Sequence, residues 1–289
     1  MLYTMKNEFL TVRVNDLGAE LWSVVSAEDG TEYIWQGDPQ YWEDRSPVIF
    51  PFCGRVQNEE YSYGGKTYPM GCHGFAAGEV FAVSEEEGAL RFLLRDTPKT
   101  REIYPFAFSF EVVYRLSGRR LTMSLAVKNE GEGILPFTMG AHPGFNVPLG
   151  GGEFEDFSLT FGAPSAPVQM EISEDGFRTG REEAYPLVEG RVLPLRHSLF
   201  DIDGIFLYGM ASSVRLASPK SERFLEVHYS DMPYLGFWHS QGVANFLCIE
   251  PWCAMPAVKG ESEDLEKKDG LFRIGAGECK RASLDMIFG

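Results

Sequence analysis

Short runs of β-branched and aromatic residues recur along this chain, and glycine or proline interrupts them throughout. Phe9 to Val14, Ala89 to Arg95, Phe106 to Leu116, Leu121 to Asn129, Val214 to Leu216, Phe224 to Tyr229 and Tyr234 to Trp238 are of this kind, and each predicts a strand. Among the 31 glycines and 17 prolines, Gly64-Gly65 between Tyr63 and Lys66, and Gly118 between Leu116 and Arg119, read as hairpin turns. Hairpins join antiparallel neighbours, whereas parallel strands need a crossover of a dozen or more residues. Only Asp38 to Glu43 and Glu261 to Lys268 have helix-like composition, and neither is long enough to serve as one. The pattern therefore predicts an all-β, antiparallel fold and argues against an α/β arrangement.

No low-complexity linker and no fixed-period repeat divides the chain. Its nearest approach to a break is Asn146 to Glu153, with Leu149-Gly150-Gly151-Gly152, which reads as a loop inside a large sandwich; residues 1–289 are expected to form a single domain. With 289 residues, 44% of them hydrophobic and 24% charged, the chain can bury a large core. A net charge of −16 repels polyanions, so neither nucleic acid nor an anionic membrane surface is an expected partner. The first residues lack the basic and apolar stretches of a secretory signal, and no uncharged apolar run approaches ~18 residues. A cytoplasmic location is expected, as a monomer or homodimer. Cys53, Cys72, Cys248, Cys253 and Cys279 are odd in number and without Cys-x-x-Cys spacing, so reduced and mostly buried thiols are expected rather than a disulfide framework or zinc knuckle.

Three segments set ionisable groups where a soluble protein usually avoids them. In Phe246-Leu247-Cys248-Ile249-Glu250-Pro251-Trp252 a carboxylate enters an apolar strand that proline is expected to stop. With a period of two, Glu250 shares a face with Phe246 and Cys248 while Leu247 and Ile249 line the other, so both faces read as buried. Burial raises the basicity of a carboxylate, as a proton-transfer group requires; a structural ion pair would also explain it. Gly71-Cys72-His73-Gly74-Phe75-Ala76 and Gly140-Ala141-His142-Pro143-Gly144-Phe145-Asn146 each hold a histidine among glycine, proline and apolar residues. Gly74 permits a tight turn after His73, and Pro143 restricts His142 to extended geometry; each histidine also fits a turn or core role.

Two further residues carry polar chemistry out of apolar runs. Ser46-Pro47-Val48-Ile49-Phe50-Pro51-Phe52-Cys53-Gly54 leads to Arg55, whose guanidinium suits vicinal sugar oxygens or a carboxylate, or an internal salt bridge. Asp203 heads the run Gly204-Ile205-Phe206-Leu207 and could accept protons from sugar hydroxyls.

Taken in order, Phe-Pro-Phe-x-Gly-Arg ending at Arg55, His73-Gly74-Phe75-Ala76, His142-Pro143-x-Phe145-Asn146, Asp203 and Cys248-Ile249-Glu250-Pro251-Trp252 resemble the aldose 1-epimerase (galactose mutarotase-like) family, in particular its LacX-like subgroup. The resemblance runs from about Asn15 to the carboxyl end. It implies a large antiparallel β supersandwich, no organic cofactor, and an isomerase that interconverts the α and β anomers of an aldose. It further implies that Glu250 is the general base on the anomeric hydroxyl and His142 the acid at the ring oxygen, with His73, Arg55 and Asp203 binding the sugar. Trp252, beside the base, would offer the ring an apolar face. Two departures bear on the choice of sugar: Ala77 stands where many relatives carry arginine, and the Pro143-Gly144 turn replaces the aromatic that follows the histidine in galactose mutarotases.

Three alternatives remain beside this reading. A sugar-phosphate (hexose-6-phosphate) 1-epimerase would need a basic pocket, and no basic residue lies near Gly71 to Ala77. A non-catalytic carbohydrate-binding or sensing protein would have little use for both Glu250 and His142. A metal enzyme would need chelating histidines, and none have such spacing except possibly His228 and His239, which read as strand-surface residues. No metal is therefore expected, and His197 reads as a solvated turn residue.

Overall fold

The computed structural model describes all 289 residues, and every strand in its named sheets pairs antiparallel. Two large sheets dominate. One has nine strands, in the order Val192–Pro194, Ser158–Phe161, Ser213–Ala217, Phe224–His228, Cys279–Phe288, Arg120–Asn129, Phe108–Ser117, Ala89–Arg95 and Ala82–Glu86. The other has eight; its central run is Val168–Ile172, Ile205–Tyr208, Tyr234–Trp238 and Phe246–Trp252, after which come the short pieces Gly140–Ala141 and Gly144–Asn146. Three smaller sheets, including the hairpin Glu60–Tyr63 with Lys66–Pro69 across Gly64-Gly65, accompany them. The fold is the all-β antiparallel supersandwich expected. The predicted strands fall within two residues of the observed ones, and Ala89–Arg95 and Tyr234–Trp238 coincide with them.

Local chemistry accounts for the departures. Asp38 to Glu43 makes one turn, in which Tyr41 and Trp42 donate to the Asp38 carbonyl, and Glu261 to Lys268 folds as turns around Asp264. The only α-helix is Pro98–Ile103. Its start is a reciprocal capping box between Thr97 and Thr100 with proline at N1, a signal that apolar periodicity alone overlooks in so short an element. Nor does Pro251 stop its strand, which continues to Trp252. Ile249 donates to the Pro143 carbonyl, so the missing N–H of Pro251, two residues on, falls on the side where the neighbouring strand is already broken at His142-Pro143.

The main core draws buried residues from Met5 to Phe288, and two smaller apolar clusters, around Trp252 and around Phe246, lie beside the site. Phe50 is one hub of the main core, fully buried and within 6.0 Å, ring to ring, of Phe75, Tyr104, Phe108, Phe110 and Phe137. Its carbonyl accepts the N–H groups of Phe75 and Ala76, which ties the segment leading to Arg55 to the one carrying His73. A Cβ on Gly74, at φ +84°, would stand 2.1 Å from that carbonyl oxygen, so only glycine fits there. No helix is long and apolar enough to cross a membrane. Phe50→Ala is expected to lower stability by ~3–5 kcal/mol in equilibrium denaturation. A loss below ~1 kcal/mol would show that the aromatic cluster does not hold these two segments together.

Candidate active site

The floor of the site is set by strand register. Strand Phe246–Trp252 is buried at every residue and pairs Gly144 with Cys248 and Gly140 with Trp252. Continued between those two pairs, the same register sets His142 directly opposite Glu250, so the two side chains leave one face of the sheet together. His142 Nε2 lies 3.1 Å from Glu250 Oε2. On the other side Glu250 faces Gly236, where a Cβ would stand 3.0 Å from the Phe206 ring and 3.3 Å from Glu250 Cβ. That glycine leaves the carboxylate its room.

Both groups are almost wholly buried, Glu250 at 1% and His142 at 8% exposure. Burial pushes the Glu250 carboxyl well above its usual range, and Asp203 nearby pushes in the same direction. Burial, then the neighbouring His73, pushes His142 well below the usual imidazole range. Desolvation acts against both charges, which favours an uncharged pair sharing one proton across the 3.1 Å contact.

A cavity of about 270 Å³ opens above this pair, just below the ~300–1,000 Å³ typical of drug-sized ligand sites. The neighbouring strands supply Trp238, Phe206, Ile172 and Trp252, and loops supply Trp42, Arg55, Cys72, His73, Asp203 and Pro256. All six residues singled out in the sequence, Glu250, His142, His73, Arg55, Asp203 and Trp252, line this one hollow. Three atoms belonging to them, Glu250 Oε1, His142 Nδ1 and Trp252 Nε1, are buried without a hydrogen-bond partner. Buried polar atoms are rarely left so, and their concentration here marks a place for a polar ligand.

His73 is held by a reciprocal clamp. Its backbone N–H donates to the Gly54 carbonyl at 2.9 Å, and the Gly54 N–H donates to His73 Nδ1 at 3.1 Å. With Nδ1 accepting, the ring proton sits on Nε2, which makes no bond within the protein and is available to a ligand. His73 itself has φ +60°, a left-handed conformation uncommon for a residue with a side chain and often associated with functional sites. Burial, then Arg55, lowers its pKa to about 4. Arg55 stands exposed at the rim and makes no internal salt bridge; Gly176, at φ +80°, leaves it space, since a Cβ there would lie 2.7 Å from its Nε. Asp203 precedes strand Ile205–Tyr208 and accepts the Gly204 N–H at 2.7 Å. Burial raises its pKa more than that bond and Arg55 lower it.

Sequence reasoning missed Trp42, Trp238 and Phe206. The Trp42 and Trp238 rings lie 5.1 Å and 5.9 Å from that of His142, while Phe206 lies 5.1 Å from Trp252. Tyr41-Trp42 is an aromatic pair inside a polar segment, and that was the available signal. Two histidines differ from expectation. His239 is buried, donates to the Ser240 carbonyl at 2.6 Å and lies 3.2 Å from His197. His197 stacks on Phe154 at 4.2 Å instead of standing in solvent. Three of the five thiols are buried and none is paired, but Cys72 and Cys279 are exposed.

The antiparallel supersandwich that carries this cavity is also the fold of solved galactose mutarotase-like proteins. Residues 1–268 match the family model described as aldose 1-epimerase, and this chain belongs to that family. It is 33% identical to the chromosomal LacX protein of Lactococcus lactis subsp. lactis over 99% of both chains. It also superposes on a galactose mutarotase related enzyme from Lactobacillus acidophilus with a TM-score of 0.95, at 33% identity over 100% of this chain and 97% of that one. A galactose mutarotase-like protein from Lactobacillus casei gives a TM-score of 0.94, at 32% identity with both chains fully covered.

An NMR titration is expected to show the His73 ring uncharged down to about pH 4. Between the ordinary value of 6.5 and about 4, the unfolded chain takes a proton that the folded one refuses. This residue therefore opposes folding progressively as pH falls through that window, and no further below it. A His73 titration midpoint near 6.5 in the folded protein would show that the clamp and burial do not govern the ring.

Proposed function

We propose that the protein is a cofactor-independent aldose 1-epimerase, with Glu250 and His142 as the proton-transfer pair. The observation that carries this reading is their 3.1 Å contact at the floor of the cavity. In a pyranose the C1 hydroxyl and the ring oxygen are bonded to the same carbon, so two groups this close can serve both oxygens. Water exchanges anomers slowly because an unassisted path builds an alkoxide or a protonated ether, and paired acid and base avoid both.

As sugar hydroxyls and Arg55 supply a polar surrounding, the shared proton passes from Glu250 to His142. Glu250 then takes the proton from the C1 hydroxyl while His142 gives its own to the ring oxygen, and the C1–O bond of the ring breaks. The open-chain aldehyde turns about the C1–C2 bond. The ring hydroxyl adds to the other face of the carbonyl, returning its proton to His142 as Glu250 reprotonates the new anomeric oxygen. Nothing is oxidised or reduced, and the pair ends as it began.

The remaining residues fit a binding role. His73 Nε2–H and Trp252 Nε1–H are donors for sugar oxygens, Asp203 is an acceptor, and the guanidinium of Arg55 can span two vicinal oxygens. Trp42, Trp238 and Phe206 provide apolar faces for the C–H side of a pyranose. Arg55 is the only Lys or Arg lining the cavity, and the carboxyl group of Asp203 faces the same hollow. That balance favours a neutral aldose over a 6-phosphate dianion.

Glu250→Gln is expected to lower turnover by ~10²–10⁴-fold, followed by polarimetry on freshly dissolved single anomers, while leaving sugar binding nearly intact. His142→Asn should reduce kcat more than affinity. Arg55→Ala should chiefly raise KM by ~10–100-fold, as expected for loss of a charge-assisted hydrogen bond. Full activity in Glu250→Gln would remove it as base, and sugar binding without accelerated exchange in the unaltered protein would favour a sensing role. Glucose should be turned over more efficiently than glucose 6-phosphate; the reverse preference would make the sugar phosphate the substrate.

A further inference from the structure

Beneath the proposed proton-transfer pair lies a third donor with no part in anomer exchange. Cys248 is two residues before Glu250 on the same strand face, fully buried, and its Sγ lies within 4.8 Å of the ligand atoms of both His142 and Glu250. Gly144 faces Cys248 across the strands and presents no side chain. One patch of two adjacent strands thus offers an imidazole nitrogen, a thiol sulfur and a carboxylate oxygen. The other buried thiols, Cys53 and Cys253, are within hydrogen-bond reach of backbone carbonyls, whereas Cys248 has no such partner. Glu250 Oε1 is unpartnered as well, in a side chain 1% exposed. Sequence spacing gave no sign of this group, because His142 lies more than a hundred residues from the other two.

We infer that His142, Cys248 and Glu250 form a binding site for a thiophilic divalent cation such as zinc, and that the bound ion blocks the proton-transfer pair instead of assisting it. Nitrogen, sulfur and carboxylate oxygen are the ligand types zinc prefers, at ~2.0–2.3 Å. Tetrahedral geometry at those lengths places ligand atoms roughly 3.3–3.8 Å apart. The 3.1 Å His142–Glu250 contact needs to open by only a few tenths of an ångström, and the limit of 4.8 Å leaves Cys248 little distance to close.

Charge also balances. A dication held by a neutral imidazole, a thiolate and a carboxylate, with one proton released to water from the thiol and one from the carboxyl, leaves an uncharged centre. Binding therefore leaves no net charge in the buried floor, where an isolated charge would be strongly disfavoured. The cavity gives the ion a way in, since His142 and Glu250 line it, and water from it would complete a tetrahedral shell.

This inference goes beyond the proposed activity and can be tested apart from it. The full chain, freed of metal with a chelator, is titrated with zinc against a chromophoric competitor and with cobalt(II) in the spectrophotometer, and mutarotation is followed in parallel. One equivalent of zinc is expected to bind and arrest anomer exchange, reversibly with EDTA, and cobalt should give the sulfur-to-metal charge-transfer band of a thiolate ligand. Cys248→Ala should keep the metal-free rate, lose the band, and weaken zinc binding by at least the ~10–100-fold that follows loss of even an outer-sphere partner. Cys72→Ser, altering the exposed thiol at the cavity wall, should retain the band. Cys248→Ser provides a second variant if the alanine form fails to fold.

The inference is overturned if zinc in large excess neither binds nor slows exchange, if Cys248→Ala binds as tightly as the unaltered protein, or if the band follows Cys72. Should the protein show no mutarotation, zinc affinity and the cobalt band still decide this point, while the loss falls on the proposed activity alone.

Discussion

A buried contact between an imidazole and a carboxyl group, made across two adjacent antiparallel strands, is the constraint around which the site is organised. Desolvation makes either charge alone unfavourable, and the pair is tolerable because one proton serves both. Burial of strand Phe246–Trp252 on both faces holds Glu250 at that point. The break in the neighbouring strand at His142-Pro143 gives the imidazole its place without loss of backbone bonds: His142 N–H donates to the Pro47 carbonyl and Ile249 N–H to that of Pro143. The same local irregularity accommodates Pro251, a residue otherwise out of place inside a sheet.

Around this floor, aromatic rings and glycines shape the hollow. Gly236, Gly54 and Gly176 stand where a Cβ would come within 3.0 Å of Phe206, Pro256 and Arg55 respectively, so the walls close in only because those positions carry no side chain. Trp42 and Trp238 flank His142 and limit its access to water, which preserves the low-dielectric setting on which its perturbed basicity depends. His73 is locked differently, through a backbone clamp with Gly54 that fixes its tautomer and aims a donor outward. A strand holds Glu250 and the break beside it holds His142, while the groups proposed to recognise the ligand come from both strands and loops.

Much of this was legible in the chain. Alternation of apolar and polar residues with glycine-marked turns gave the antiparallel sheets, since a period of two and a hairpin are both local properties. Glu250, His142 and His73 stood out because each sits among residues that exclude water, and Arg55 and Asp203 because each follows or leads an apolar run. Trp42 was hidden in a segment whose composition suggested a helix, and its role arises from a single turn that points it at a strand a hundred residues away. His197 and His239 looked peripheral for the same reason: their mutual contact joins a short 3₁₀ turn to a strand end 42 residues later. Pro251 misled because the rule that proline ends strands assumes an intact neighbour.

The sequence by itself determined where local hairpins turn, which faces are apolar, and that three ionisable groups sit among apolar, glycine and proline residues, because those outcomes depend on neighbours only a few positions apart. Tertiary structure alone decided that His142 stands opposite Glu250, that Cys248 completes a three-donor patch beneath them, and that Arg55 remains unpaired at the rim. Each of those facts depends on the register and packing of segments far apart in the chain, where one residue of slip would turn the side chains to the opposite face.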